Sequence, residues 1–376
     1  MAYASIDKLQ NALGKEVFHY TKDKKKAAGR ALGTLVEIIT YYLLKEWGFN
    51  NSLSIERKLL EYGNNDISHN VEYTLHPILQ EQKVILENDG KSLTAHKILK
   101  SLDIDTSNFL KKNNTLLDIH NVLRNACTIG ISDISYLMTS IATADSTAYH
   151  LDVFEQHQKS YAMFECKRVG VEEGHKKGPQ TIEKAKQGAY VARTASSLQK
   201  IRTDTGEKYG LIYKSNNQPY IKPYVELMEE IIDSNDRELL KKFILTVGVV
   251  SNHGNWFTAE NHNKELKVLA ESYDWLIFLT DAGLAQFIDD LILNPKKEFL
   301  AVKNAFLRSY TANKKRNVFT KTKIDFEANN LLLQYFSSKK EEIEKWFNII
   351  TPQQKTLQEL KEELLKLSSK NWNTIL

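Results

Sequence analysis

An α/β fold, a mixed central sheet flanked by helices with helical additions, is predicted by three observations. Two apolar runs, KFILTVGVVS over 242–251 and WLIFL over 275–279, have the near-continuous apolar character of strands buried on both faces. Two further segments, 149–155 and 161–167, have the composition of strands. Apolar residues recur at helical spacing over 27–47, 181–201 and much of 326–367. Strands interleaved with helices in this order pack helices onto a sheet.

The first strong element is a helix over 27–47, where Leu32, Leu35, Val36, Ile39, Leu43 and Leu44 share a stripe. Gly48 suits its C-terminus. Residues 51–125 are polar and irregular, with short helical stretches near 92–101 and 115–127, and a further helix is expected over 132–143. The strands 149–155 and 161–167 flank His157-Gln158-Lys159-Ser160, the four-residue turn of a hairpin. The buried strand at 275–279 runs through Thr280-Asp281, a good N-cap pair, into a helix over 282–293. The tail is helical and interrupted near Pro352, and its LQELKEELLKL segment carries an apolar stripe suited to the core or a second subunit. The organisation expected is a core over 1–300, with an inserted polar, partly helical region at about 50–130, and a helical C-terminal region over 301–376.

Bulk properties narrow the function. No run of about 18 apolar residues exists, so no membrane span is expected, and the mixed-charge N-terminus lacks a signal-peptide core, which points to the cytoplasm. Two cysteines, Cys127 and Cys166, make neither a disulfide framework nor a CxxC zinc pair. The glycines at 170, 174 and 178 form neither a P-loop nor a dinucleotide fingerprint, and there is no HExxH or GxSxG. Net charge is only +4, but basic residues cluster at 22–30, at 167–177 and at 314–323, the last including Lys321 and Lys323. Phosphate neutralisation needs such local clusters; solvated surface lysine is the plainer reading of each.

The chemistry concentrates in HLDVFEQHQKSYAMFECKRVG, residues 150–170. Along a strand, Glu165 and Lys167 share one face while Phe164 and Cys166 take the other. If the turn is 157–160, Asp152 stands opposite Glu165, with Cβ atoms roughly 5 Å apart. Two carboxylates at that distance call for a compensating cation, and oxygen donors suit Mg²⁺. A hairpin with a surface salt bridge is the competing reading. A basic, Gly-rich loop, RVGVEEGHKKGP, follows at once.

FECK with an upstream Asp, followed by a helix whose first turn is rich in Lys and Gln, resembles the PD-(D/E)xK nuclease superfamily. The order of elements is similar to that of type II restriction endonucleases, over roughly 27–49 and 149–290. The resemblance implies a restriction-endonuclease-like core and metal-dependent hydrolysis of double-stranded DNA, with Mg²⁺ as cofactor and Mn²⁺ as substitute. It assigns Asp152, Glu165 and the carbonyl of Cys166 to the metal, and Lys167 to the attacking water. Glu37, within GTLVEIITYYLL, matches an early-helix glutamate of the family; a glutamate at the stripe's edge is its plainer reading. Leu151, not Pro, precedes Asp152, and Asp145 and Asp133 are rivals for the first acid. Arg168, Lys176, Lys177, Lys184, Lys314, Lys315 and Arg316 are the candidate DNA contacts, and His253 in SNHGNWF is a weaker one. By the same resemblance the chain is expected to be a homodimer, with a methyltransferase of matching specificity protecting host DNA. A repair, junction-resolving or phage-defence nuclease, and a non-catalytic DNA-binding protein, are the alternatives.

Overall fold

A computed structural model describes residues 6–103, 105–170, 188–214, 216–253, 264–310 and 317–376. Its centre is a six-stranded mixed sheet. In chain order its strands are β1 (Leu53–Ile55), β2 (Tyr73–Leu75), β3 (Ala162–Gly170), β4 (Leu245–His253), β5 (Trp275–Leu279) and β6 (Phe347–Thr351), and they lie in the sheet in that same order. The β3–β4 and β4–β5 pairs are parallel; the β1–β2, β2–β3 and β5–β6 pairs are antiparallel. The two apolar runs are thus the middle of the sheet, as their burial requires: Leu245, Val247, Val249, Trp275, Leu276 and Ile277 are all buried.

The long helix Lys24–Glu46 packs on one face of β3. Its start is fixed by Asp23, whose side chain accepts from the backbone N–H of Lys26. It ends at Gly48, whose φ of +93° is cheap only for glycine. Leu32, Leu35, Val36, Ile39, Leu43 and Leu44 are all buried, as their spacing predicts. Thr280 caps the helix Asp281–Ile288 by accepting from Gly283 N–H, and Asp289–Leu293 continues it as a π-turn. Past Pro352, Thr356 and Glu359 form a capping box that starts the helix Leu357–Ser368.

Several local expectations are corrected. Residues 115–127 and 132–143 are strand, not helix: Thr115–Leu117, Val122–Arg124 and Ser135–Ala144. Ser135–Ala144 is buried at Ser135, Leu137, Met138 and Thr139 and exposed at its far end. The segments around 149–155 and 161–167 are strands, but they do not pair with each other. Ala148–His157 lies in a separate five-stranded antiparallel sheet, between Ser135–Ala144 and Ile78–Glu87, while β3 pairs with β2 and β4. His157–Ser160 therefore carries the chain from one sheet to the other. Within the tail, Phe347–Thr351 adds an edge strand to the central sheet among the helices. The helix expected over 181–201 is seen over 188–195, giving way to the strand Gln199–Arg202; 181–187 lie outside the described residues.

Candidate functional site

Side chains alternate along β3. Phe164 and Cys166 enter the main core beneath the long helix, and Met163 enters a second apolar cluster with Ala189, Ala192, Val250, Tyr273 and Leu276 on the other face. Glu165 and Lys167 belong to this second face, at the margin of its cluster. Their ion pair spans 2.5 Å, with side-chain exposures of 9% and 28%. Burial raises the Glu165 carboxyl above its ordinary range even though the Lys167 ammonium pulls it down. Burial works to lower Lys167, but its pairing with Glu165 and the charge of Glu72 outweigh that and leave it raised, so the ammonium stays charged at neutral pH.

The acid opposite Glu165 is Glu72. The β2–β3 register pairs Phe164 with Tyr73, and its extension by one residue sets Glu72 across from Glu165. The Glu72 backbone N–H donates to Oε2 of Glu165 at 3.3 Å. β1 continues the row, since Glu56 N–H donates to the Glu72 carbonyl at 3.1 Å. Glu56, just after β1, and Glu72, just before β2, thus line up beside Glu165 on β3. Asp152 does not fill this place: it pairs with Ser140 on one side and Lys83 on the other, inside the five-stranded sheet. Its expected position opposite Glu165 depended on a hairpin that does not form. Asp145 and Asp133 sit in turns of that same sheet, where Asp145 accepts from Thr147 and Ala148.

Lys321 completes the arrangement. It is 8% exposed, and its Nζ hydrogen-bonds to Glu72 and lies 3.0 Å from Glu56 Oε1 and 3.4 Å from Glu37 Oε2. Glu37 therefore joins the group from the long helix, held there as the Tyr73 hydroxyl donates to its carbonyl at 2.7 Å. Burial, then the nearby Glu72 charge, pushes the Glu37 carboxyl up to about 7 against the pull of Lys321. Four glutamates and two lysines converge in all. As the side chains stand, no three His, Cys, Asp or Glu among the described residues are disposed to hold a metal ion. Each candidate carboxylate is instead engaged by an ammonium group.

The helix 188–195 closes the second face. A Cβ on Gly188 would stand 2.7 Å from Tyr273 Oη and 3.1 Å from Glu165 Cγ, so only glycine lets the helix approach so near. Tyr273 Oη is buried beside Glu165 with no hydrogen-bond partner among the described residues. Cys166 faces away, and burial holds its thiol well above the usual range.

Glu56, Glu72, Lys321 and Tyr273 are the site residues that sequence reasoning missed. β2 is three residues long, too short for its alternation to stand out in NVEYTLHP. Lys321 was legible only as part of a basic stretch. Of the candidate DNA contacts, Lys176, Lys177, Lys184, Lys314, Lys315 and Arg316 lie outside the described residues, as do the side chains of Arg168 and His253. No described helix is long and apolar enough to cross a membrane. No family model matches the chain, and comparison with curated proteins and with solved structures returns no match.

Proposed function

We propose that the chain is a divalent-cation-dependent endodeoxyribonuclease of the PD-(D/E)xK type, acting in restriction as a type II enzyme, with Glu72 in the role first given to Asp152. The observation that carries this reading is the juxtaposition of Glu165 and Lys167 on β3 with Glu72, which immediately precedes the adjacent antiparallel strand β2 of a mixed sheet.

The donor set suits a hard cation such as Mg²⁺, with Mn²⁺ as substitute. It is all oxygen, it is partly buried, and ammonium groups already stand where positive charge is needed. Glu72 and Glu165 would hold the ion. The Cys166 carbonyl is the third donor by resemblance, and the β2–β3 ladder ends at Phe164, one residue short of Glu165. A bound Mg²⁺ would lower the pKa of a water and offset charge on the scissile phosphate. Lys167, charged and fixed by Glu165, orients the attacking water and donates to a non-bridging phosphate oxygen. Glu37, its carboxyl pushed up to about 7, is the candidate acceptor for the water's proton. The apolar cluster around Met163 and Val250 limits water behind the carboxylates. Double-stranded DNA is the substrate and a homodimer the expected form, on the resemblance alone.

The test is incubation of supercoiled plasmid with the protein in Mg²⁺, in Mn²⁺ and in EDTA. Discrete linear fragments with either metal and intact plasmid in EDTA are expected. Cleavage in EDTA at the same rate excludes the mechanism. Progressive degradation favours a repair or defence nuclease over a restriction enzyme, and intact DNA in every case favours a non-catalytic binding protein.

A further inference from the structure

We infer that Lys321 is a place-holder for the cation: its ammonium can occupy the carboxylate cluster and gives way to a divalent ion that binds there. This rests on the reading of Glu72 and Glu165 as the metal's carboxylates. Three side chains, Glu37 from the long helix, Glu56 from just after β1 and Glu72 from just before β2, converge on the one ammonium. Glu72 is common to both arrangements, since it is Lys321's hydrogen-bonded partner and the acid opposite Glu165. A divalent ion about 2.1 Å from a Glu72 oxygen and an ammonium bonded to the same carboxylate are strongly repelling neighbours in a partly buried site. The two cations therefore compete.

Only the side chain needs to move. The backbone at Lys321 is held by Asn125, whose Nδ2 donates to the Lys321 carbonyl at 2.9 Å and whose N–H donates to Thr322 at 3.0 Å. The following strand, Lys323–Asp325, pairs with Val122–Arg124. Lysine's flexible four-carbon stem lets the charge swing clear while that backbone stays in place. With Lys321 on the cluster, Glu72 is engaged, so the apparent metal affinity is reduced according to the fraction of time the lysine stays there.

The experiment is a Mn²⁺ titration of the full chain without DNA, read by calorimetry and by the melting temperature at saturating metal. Lys321→Met is expected to bind Mn²⁺ at least tenfold more tightly than the unaltered chain, and to gain more in Tm. Glu56→Gln serves as the milder variant, because that side chain is 55% exposed and removes only one of the lysine's partners; a tightening of a few fold is expected. If both variants bind Mn²⁺ no more tightly than the unaltered chain, while Glu72→Gln loses binding, the place-holder is overturned and the metal site stands. If none of these chains binds Mn²⁺, both fail together.

Discussion

The backbone N–H of Glu72 donates to Oε2 of Glu165 across 3.3 Å, one residue beyond the last paired position of β2 and β3. That contact ties two acids from segments 93 residues apart into one group. Removing the charge of Glu72 while keeping its shape should therefore remove metal-dependent cleavage. Glu72→Gln is expected to lower the cleavage rate by on the order of 100-fold or more, beyond the typical cost of losing a group that only supports a metal ligand. Asp152→Asn should keep most of the rate. A plasmid-nicking assay of both variants decides between them, and the reverse outcome would return the role to Asp152.

Gly188 gives a packing prediction. In an exposed helix, Gly→Ala stabilises by about 1 kcal/mol. Here the new Cβ meets Tyr273 Oη at 2.7 Å and Glu165 Cγ at 3.1 Å. Gly188→Ala is expected to destabilise by about 1–3 kcal/mol and to displace Glu165, weakening Mn²⁺ binding. Urea denaturation and metal titration check the two effects; a variant more stable than the parent with unchanged Mn²⁺ affinity contradicts the placement of that helix.

His76 follows β2 and is fully buried. Its Nδ1 lies 2.9 Å from the His157 carbonyl, which only accepts, so the proton is on Nδ1 and Nε2 accepts from the Thr74 hydroxyl at 2.7 Å. Burial, with Arg57 nearby, lowers its pKa from 6.5 to about 3. Above pH 6.5 the ring is neutral in both folded and unfolded chains. Below it the unfolded chain takes up a proton that the folded one refuses, so stability falls from pH 6.5 toward 3, by about 1.4 kcal/mol for each unit between the two pKa values. Chemical denaturation across this range should show the loss, and His76→Gln should lack that share of it. Parallel pH profiles for the two proteins would refute the assignment.

How much of this was legible beforehand follows from where each signal lies. The long helix, β4 and β5 were readable because their own residues carry an uninterrupted pattern, from Leu32 to Leu44, from Leu245 to Ser251 and from Trp275 to Leu279. Glu165 and Lys167 were readable because a strand with Phe164 in its core gives its ionisable residues a face. Pairing was not. Ala148–His157 and β3 are adjacent in sequence, and proximity suggests a hairpin, but the buried side chain of Gln156 bonds to Asn51 and Ser54 at the junction of two sheets. Partner choice is a long-range property set by such contacts. Glu72 escaped for the same reason: nothing local in a three-residue strand says which strand it joins.

As a metal ligand, Cys166 would contribute through its backbone alone. Its thiol is buried against the long helix, with its pKa raised by that burial, and Cys127 is pushed up to about 12 for the same reason. Neither thiol should react with a disulfide reagent at pH 8 until the chain unfolds, and Cys166→Ala should cleave DNA within a few fold of the unaltered rate. Rapid labelling of Cys166 in the native protein would mean that this face of β3 is open.

The most direct measurement separates cutting from binding at Lys167. Its ammonium pairs with Glu165 at 2.5 Å and is one charge among the many that a DNA phosphate backbone meets. Supercoiled plasmid is incubated with Mg²⁺ and either the unaltered chain or Lys167→Ala, and the affinity of each for the same DNA is measured in Ca²⁺. The expected result is discrete cleavage by the unaltered chain, none by Lys167→Ala, and DNA affinities within a few fold of one another. Cleavage by Lys167→Ala at the unaltered rate would contradict the assignment of this cluster as a nuclease centre.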